Sequence, residues 1–181
     1  MGYEDEEAGW VRQGQDGDPE AFGALVERYQ RMVHALTYRM TGSMAEAEDL
    51  AQETFLQAFR RLATFRGESK FSSWLCQIAI HTCLNWSKRE KRRDEVHRTW
   101  AESEAALAKG AGQLNENEAE TAQRVTAALM RLSAEQRAAV VLTVHEGLSH
   151  AEAAQALGCA ETTVSWRLFA ARRKLRGWLE P

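Results

Sequence analysis

The sequence has little of what builds a disulfide scaffold, a membrane anchor or a secreted chain. Cysteine occurs three times in 181 residues, at Cys76, Cys83 and Cys159, an odd number without metal-type spacing. No stretch approaches the ~18 consecutive apolar residues of a membrane helix. The acidic amino terminus lacks the basic start and apolar run of a secretory signal. We therefore expect a cytoplasmic protein with reduced thiols and no membrane insertion.

Net charge is also small, at −3 from 23 bases and 26 acids, but the charge is segregated along the chain. Acids outnumber bases seven to one in residues 1–20, whereas residues 88–93 are almost all basic and the stretch from 167 to 176 is basic again. Two basic zones separated by an acidic stretch suit a polyanion contacted at two places. Ordinary solvated helix faces give the same pattern, and charge alone favours that simpler interpretation.

The sequence offers no candidate for catalysis or metal binding. The histidines are scattered singly, and no nucleophile–base pair or phosphate-binding glycine loop is present. Cys76 and Cys83 are seven residues apart, which on a helix separates them by ~10 Å along the axis, too far to share one zinc ion. We therefore expect no enzyme activity, no metal and no cofactor.

Helical periodicity dominates the chain. Asp18 and Pro19 have the character of an N-cap followed by a first helical residue. Apolar residues then recur at spacings of mostly three and four as far as Met40, as one face of a helix requires. Capping-box patterns at Ser43, Ser133 and Ser149 mark further helix starts. No alternation typical of strands occurs, so the pattern predicts helices throughout.

The periodicity fails between residues 94 and 117, where the sequence is small, polar and glycine-bearing. Such a composition predicts a flexible linker. We therefore predict an all-α protein made of two small helical domains, residues 18–93 and 118–178, joined by the linker 94–117 and preceded by an acidic tail, residues 1–17.

The last two predicted helices have the layout of a helix-turn-helix, with a capped helix at Ser149, a turn opening at Gly158 and a longer helix ending in bases. A plain helical hairpin inside a bundle is the common alternative. Hydroxyl and guanidinium groups near the start of a recognition helix suit base edges, and Arg167 is long enough to reach a guanine. The bases further along suit phosphates, so we favour DNA binding.

Aromatic and basic residues also lie together in the amino-terminal domain. Trp86 lies two residues before the basic segment 88–93, an arrangement that suits single-stranded nucleic acid because bases stack on aromatic rings. Trp74 is better explained as core, because it shares a helical phase with Ile78. The predicted second helix, residues 46–57, instead has an acidic and amide surface, which indicates either solvent or a protein docking site.

Four segments in this order, DPEAFGALVERY, AEDLAQETFLQAFRRL, FRGESKFSSWLCQIAI and the closing helix-turn-helix, closely resemble one family. It is the extracytoplasmic-function (ECF) group of bacterial RNA polymerase sigma factors, and the resemblance covers roughly residues 18–93 and 118–178. It implies that core RNA polymerase, promoter DNA and an anti-sigma factor are the partners. A stand-alone helix-turn-helix regulator is the alternative, and an adaptor that binds only protein leaves both basic zones without a purpose.

The resemblance also implies the roles of individual residues. Docking on the polymerase clamp falls to Asp49, Leu50, Gln52, Glu53 and Leu56. Opening the minus-ten element and capturing a flipped base falls to Phe65, Arg66, Ser69, Lys70, His81, Asn85, Trp86, Lys88, Arg89, Arg92 and Arg93. Recognition of the minus-thirty-five element as duplex falls to Glu161, Thr162, Thr163, Ser165, Trp166, Arg167, Arg172 and Arg173.

Overall fold

The computed structural model describes residues 3–97 and 116–179, which form eight α-helices and no β-strand. An amino-terminal unit contains α1 (Tyr3–Gln15), α2 (Pro19–Thr41), α3 (Met44–Arg61) and α4 (Phe71–His97). A carboxy-terminal unit contains α5 (Glu116–Met130), α6 (Ala134–Val140), α7 (His150–Leu157) and α8 (Glu161–Leu179). The predicted all-α class with two helical domains is confirmed. The linker prediction falls mostly on residues 98–115, outside the described residues, and residues 94–97 continue α4.

The predicted helix starts are formed by local hydrogen bonds. The Asp18 carboxylate accepts the backbone N–H of Glu20 at 2.8 Å, which satisfies one of the free donors at the start of α2. At Ser149 the predicted capping box is complete, because Glu152 reaches back to the Ser149 backbone N–H. Helix α2 ends at Gly42, whose φ of 72° lies in the left-handed region that glycine adopts without a steric penalty.

The expected acidic tail is instead helix α1, which packs on α2. Trp10 and the buried Val11 lie on its inner side, and the Glu7 carboxylate pairs with Arg28 at 3.3 Å and accepts the Tyr29 hydroxyl. Acids near the amino end of a helix are also favourable, because that end carries partial positive charge. Sequence reasoning did not identify this helix, because dense charge obscures its short apolar face.

The core of the amino-terminal unit comes from one stripe on each of α2, α3 and α4. Helix α2 buries Leu25, Val33 and Leu36 at 1% exposure or less, as its periodicity predicts. Helix α4 is buried over a wider arc, which includes Ile80 as well as the predicted Leu75. The extra burial arises because the carboxy-terminal unit covers a second face of α4, mainly through α7.

The two units share one continuous hydrophobic core, and polar contacts reinforce their boundary. The Arg137 guanidinium, on α6, donates to the Met40 carbonyl near the end of α2 and to the Leu132 carbonyl at 3.2 Å. Arg39 pairs with Glu146 at 3.6 Å, and the side chain of Glu146 is only 8% exposed. The units therefore pack directly on each other in this structure.

The thiols of α4 lie at the same boundary. Cys76 lies in the field of Glu146 and Cys83 in that of Arg137. Burial raises the pKa of both thiols to about 12, so they remain protonated and unreactive at neutral pH. Both are free cysteines.

No helix in the described ranges has the length and apolarity to cross a bilayer.

Candidate polymerase and nucleic-acid interfaces

Helix α3 presents a mixed acidic and apolar face to solvent. Asp49 and Gln52 are exposed, and Glu53 is half-buried, where its carboxylate accepts a hydrogen bond from Gln57 at 2.9 Å. Leu56 is 52% exposed on the same helix. The exposed surface of α3 thus combines carboxylates and amides with an apolar side chain.

Leu50, which the resemblance placed among the docking residues, lies elsewhere. Its side chain is 5% exposed and belongs to the core, because position 50 is on the stripe that α3 turns toward α2 and α4. Leu50 therefore stabilises the packing of α3 and contributes little to its exposed surface. Sequence reasoning also missed Phe59, which is 47% exposed on α3.

The loop between α3 and α4 is anchored at its first residue and exposed beyond it. The Phe65 ring packs 5.5 Å from that of Phe71 and 5.3 Å from that of Trp74. The four predicted loop contacts divide accordingly, since Phe65 is half-buried whereas Arg66, Ser69 and Lys70 are exposed. The loop thus exposes two basic side chains and one hydroxyl group next to an anchored aromatic residue.

The second half of α4 forms a basic surface. His81, Asn85, Lys88, Arg89, Arg92 and Arg93 are exposed, and Trp86 is half-buried. Arg93 pairs with Glu90 at 3.2 Å in a largely exposed geometry. Such a surface suits phosphates, with Trp86 available for base stacking.

One cleft of about 990 Å³ brings this basic surface and the acidic face of α3 together. Asp49 and Glu53 line one wall, and Arg89 and Arg92 line the other. Sequence reasoning treated the two faces separately, because the packing of α3 against α4 decides which residues face each other. The described residues contain no cluster of three or more His, Cys, Asp or Glu side chains that could hold a metal ion.

Helices α7 and α8 form the predicted helix-turn-helix. The turn has Gly158 at φ 60°, again in the left-handed region. Ala153 on α7 and Val164 and Leu168 on α8 are buried. His150 at the start of α7 lies 3.0 Å from the Ser165 hydroxyl, which ties the two helices together at the outer surface.

The structure divides the predicted residues of α8 into outward and inward groups. Glu161, Thr162, Ser165, Trp166, Arg172 and Arg173 are exposed, whereas Thr163 and Arg167 are half-buried. The Arg167 guanidinium lies 3.5 Å from the Cys159 sulfur in the turn, so it faces back into its own motif. Trp166 is 65% exposed and Phe169, which sequence reasoning missed, is 66% exposed. The i, i+3 spacing of Trp166 and Phe169 in the sequence could have predicted that the two rings lie on one face of the helix.

Two family models match the chain, one for each unit. The model described as Sigma-70 region 2 matches residues 25–93, and the model described as Sigma-70, region 4 matches residues 122–175. The fold and its helix-turn-helix thus define a two-region sigma factor.

Individual relatives narrow this class. The RNA polymerase sigma-H factor of Pseudomonas aeruginosa is 35% identical over 94% of this chain and 92% of its own length. The ECF RNA polymerase sigma-E factor of Escherichia coli is 33% identical over 94% of this chain and 93% of its own. A solved structure of the sigma factor RpoE with the anti-sigma factor NepR from Bartonella quintana matches with a TM-score of 0.67 at 29% identity, covering 88% of this chain and 96% of that one. The chain belongs to the ECF group of RNA polymerase sigma factors.

Proposed function

We propose that this sigma factor docks on core RNA polymerase through the exposed face of α3 and directs it to promoters. The loop 65–70 and the basic surface of α4 bind the minus-ten element as it opens, and α8 binds the minus-thirty-five element as duplex. The polymerase carries out the chemistry, and the chain itself acts without a cofactor in the cytoplasm. The observation that carries the proposal is the order of regions 2 and 4 along one chain, each with an exposed surface of the matching chemistry.

An anti-sigma factor is a further partner under this proposal. The RpoE relative, at 29% identity over most of both chains, has been solved with the anti-sigma factor NepR. That relative supports the proposal that a protein regulator binds this chain. The two units share one hydrophobic core, so such a regulator can contact both of them at once.

Promoter binding requires the two units to separate. The element names place the contacts about 25 base pairs apart, or about 85 Å of duplex at ~3.4 Å per base pair. In the structure α4 instead packs directly against α7. Under this proposal the packed arrangement does not contact both elements at once, and the form bound to polymerase and promoter is extended.

The experiment that separates this function from a stand-alone regulator compares DNA binding with and without polymerase. The sigma factor is expected to bind promoter duplex weakly by itself and tightly only after core RNA polymerase is added. Tight, sequence-specific binding of the chain alone, unchanged by core enzyme, would identify a stand-alone helix-turn-helix regulator.

The basic surface of α4 gives a salt-dependence prediction. Replacing Arg89, Arg92 and Arg93 with Ala is expected to reduce the log–log salt slope of holoenzyme–promoter affinity by about one unit per lost phosphate contact. Titrations at several salt concentrations measure the slope. A triple variant at the exposed Arg31, Arg124 and Arg131, none of which lies on α3 or α4, is the charge-matched control. An unchanged slope in the α4 variant would make these arginines ordinary solvated side chains.

The orientation of α8 side chains gives a second prediction. Trp166→Ala is expected to relax the preference at one base pair of the upstream element by about fivefold, or about 1 kcal/mol, because an exposed ring can contact a thymine methyl. The Arg167 guanidinium faces the turn, so Arg167→Ala is expected to weaken binding to all upstream sequences alike. A saturation scan of the upstream element with both variants measures this. Loss of preference with Arg167→Ala alone would reverse the assignment.

A further inference from the structure

Helix α1 lies against the loop that follows α3, although it falls outside the residues that the region 2 family model matches. Helix α1 and residues 65–71 line a cavity of about 770 Å³ from opposite sides. The loop therefore has two supports, the aromatic residues of α4 on one side and α1 on the other.

Gln15, the last residue of α1, makes the polar part of this contact. Its side-chain amide donates to the Phe65 carbonyl at 2.7 Å and to the Leu62 carbonyl at 3.1 Å. Leu62 begins the short 3₁₀ turn after α3, and Phe65 begins the loop. The two N–H groups of one amide thus bind two carbonyls that lie at the start and the end of the 3₁₀ turn. These hydrogen bonds set the direction in which the chain leaves α3.

The packing beside Gln15 supports the same placement. Gly14 lies directly over Leu62, and a Cβ atom at position 14 would come within 2.8 Å of the Leu62 side chain. Leu62 is itself only 1% exposed, so it has little room to yield. Glycine at position 14 therefore allows α1 to approach closely enough for the amide of Gln15 to reach the loop.

We propose that Gln15 is a positioning residue for minus-ten recognition, setting the conformation of the loop 65–70 through the carbonyls of Leu62 and Phe65. This inference rests on the proposed function, because it assigns Gln15 to the base-capturing loop. Gln15 does not touch DNA. It holds Phe65 in place, so that Arg66, Ser69 and Lys70 meet the unpaired strand in one geometry.

The test is Gln15→Glu, which keeps the size of the side chain but places acceptor oxygens against two carbonyl oxygens. Holoenzyme is measured against single-stranded minus-ten oligonucleotides with each base varied in turn. The preference at the captured base is expected to fall about tenfold, whereas affinities for core polymerase and for upstream duplex stay unchanged. Gln13→Glu is the matched control, since Gln13 is exposed on the same helix and carries the same charge change.

Gln15→Ala supplies a second variant that removes the donors without adding charge, and its thermal unfolding reports whether the unit still folds. The same loss of base preference in both variants supports the inference. A uniform loss across all oligonucleotides, or an unchanged preference, overturns it while leaving the proposed function intact. Absence of core binding or of base preference in the unmodified protein overturns the proposed function, and the inference with it.

Discussion

Asp49→Lys combined with Glu53→Lys is expected to abolish binding to core RNA polymerase while the chain stays folded. Both residues lie on the solvent side of α3, Asp49 exposed and Glu53 half-buried. Under the proposed docking, lysines there meet a partner surface selected for carboxylates, and like charges facing each other across an interface cost several kcal/mol. Binding of labelled sigma factor to core polymerase measures the loss, and circular dichroism measures helical content.

The matched control reverses two exposed acids away from α3, Asp16→Lys with Glu27→Lys, which changes the net charge equally. Core affinity in that control is expected to stay within about threefold of the unmodified protein, since electrostatic effects at this distance are screened. Full core affinity in a folded Asp49/Glu53 variant would show that the polymerase docks elsewhere.

Arg137→Met is expected to lower the free energy of unfolding by about 3 kcal/mol. The guanidinium donates to the carbonyls of Met40, Met130 and Leu132, and it joins the end of α2 to the α5–α6 turn. Burial lowers the pKa of Arg137, but the ordinary pKa of arginine is so high that the guanidinium stays charged. Its hydrogen bonds are strong because the donor is charged. Methionine fills a similar volume and leaves three part-buried carbonyls without this donor, at a cost of about 1 kcal/mol each.

Urea denaturation followed by circular dichroism measures this change. Arg124→Met is the control, because Arg124 is exposed on α5 and an exposed substitution usually changes stability by less than about 0.5 kcal/mol. Glu146→Gln removes only the Arg39 ion pair, and we expect little loss of stability, because burial raises the pKa of Glu146 even beside Arg39 and so disfavours its charged form. Equal stability of Arg137→Met and the unmodified protein would mean that these contacts do not hold the units together in solution.

Local signals made most helices predictable from the sequence. Asp18 and Ser149 form the caps that their spacing predicts, and the glycines at 42 and 158 end helices where the apolar stripes stop. The Ser43 and Ser133 caps form only in part, with the serine hydroxyl accepting the backbone N–H three residues on. These are contacts within one turn, which a sequence pattern encodes directly.

Features that depend on distant residues could not be predicted in the same way. Arg137 and Met40 are 97 residues apart, and no spacing rule connects them. The inward orientation of Arg167 depends on where the turn places Cys159, and the burial of Leu50 depends on how α3 rotates against α2 and α4. Charge segregation located two basic stretches along the chain, but it did not reveal that one of them shares a cleft with the acidic face of α3.

Run-off transcription with purified core RNA polymerase on a library of promoter sequences measures directly whether this chain is a sigma factor. We expect that core enzyme alone gives no specific transcript and that adding this protein yields transcripts from a subset sharing two elements at a fixed spacing. The same protein carrying Asp49→Lys and Glu53→Lys is expected to yield none. Specific transcripts that do not depend on this protein, or none in its presence despite a folded chain and active core enzyme, would contradict the assignment.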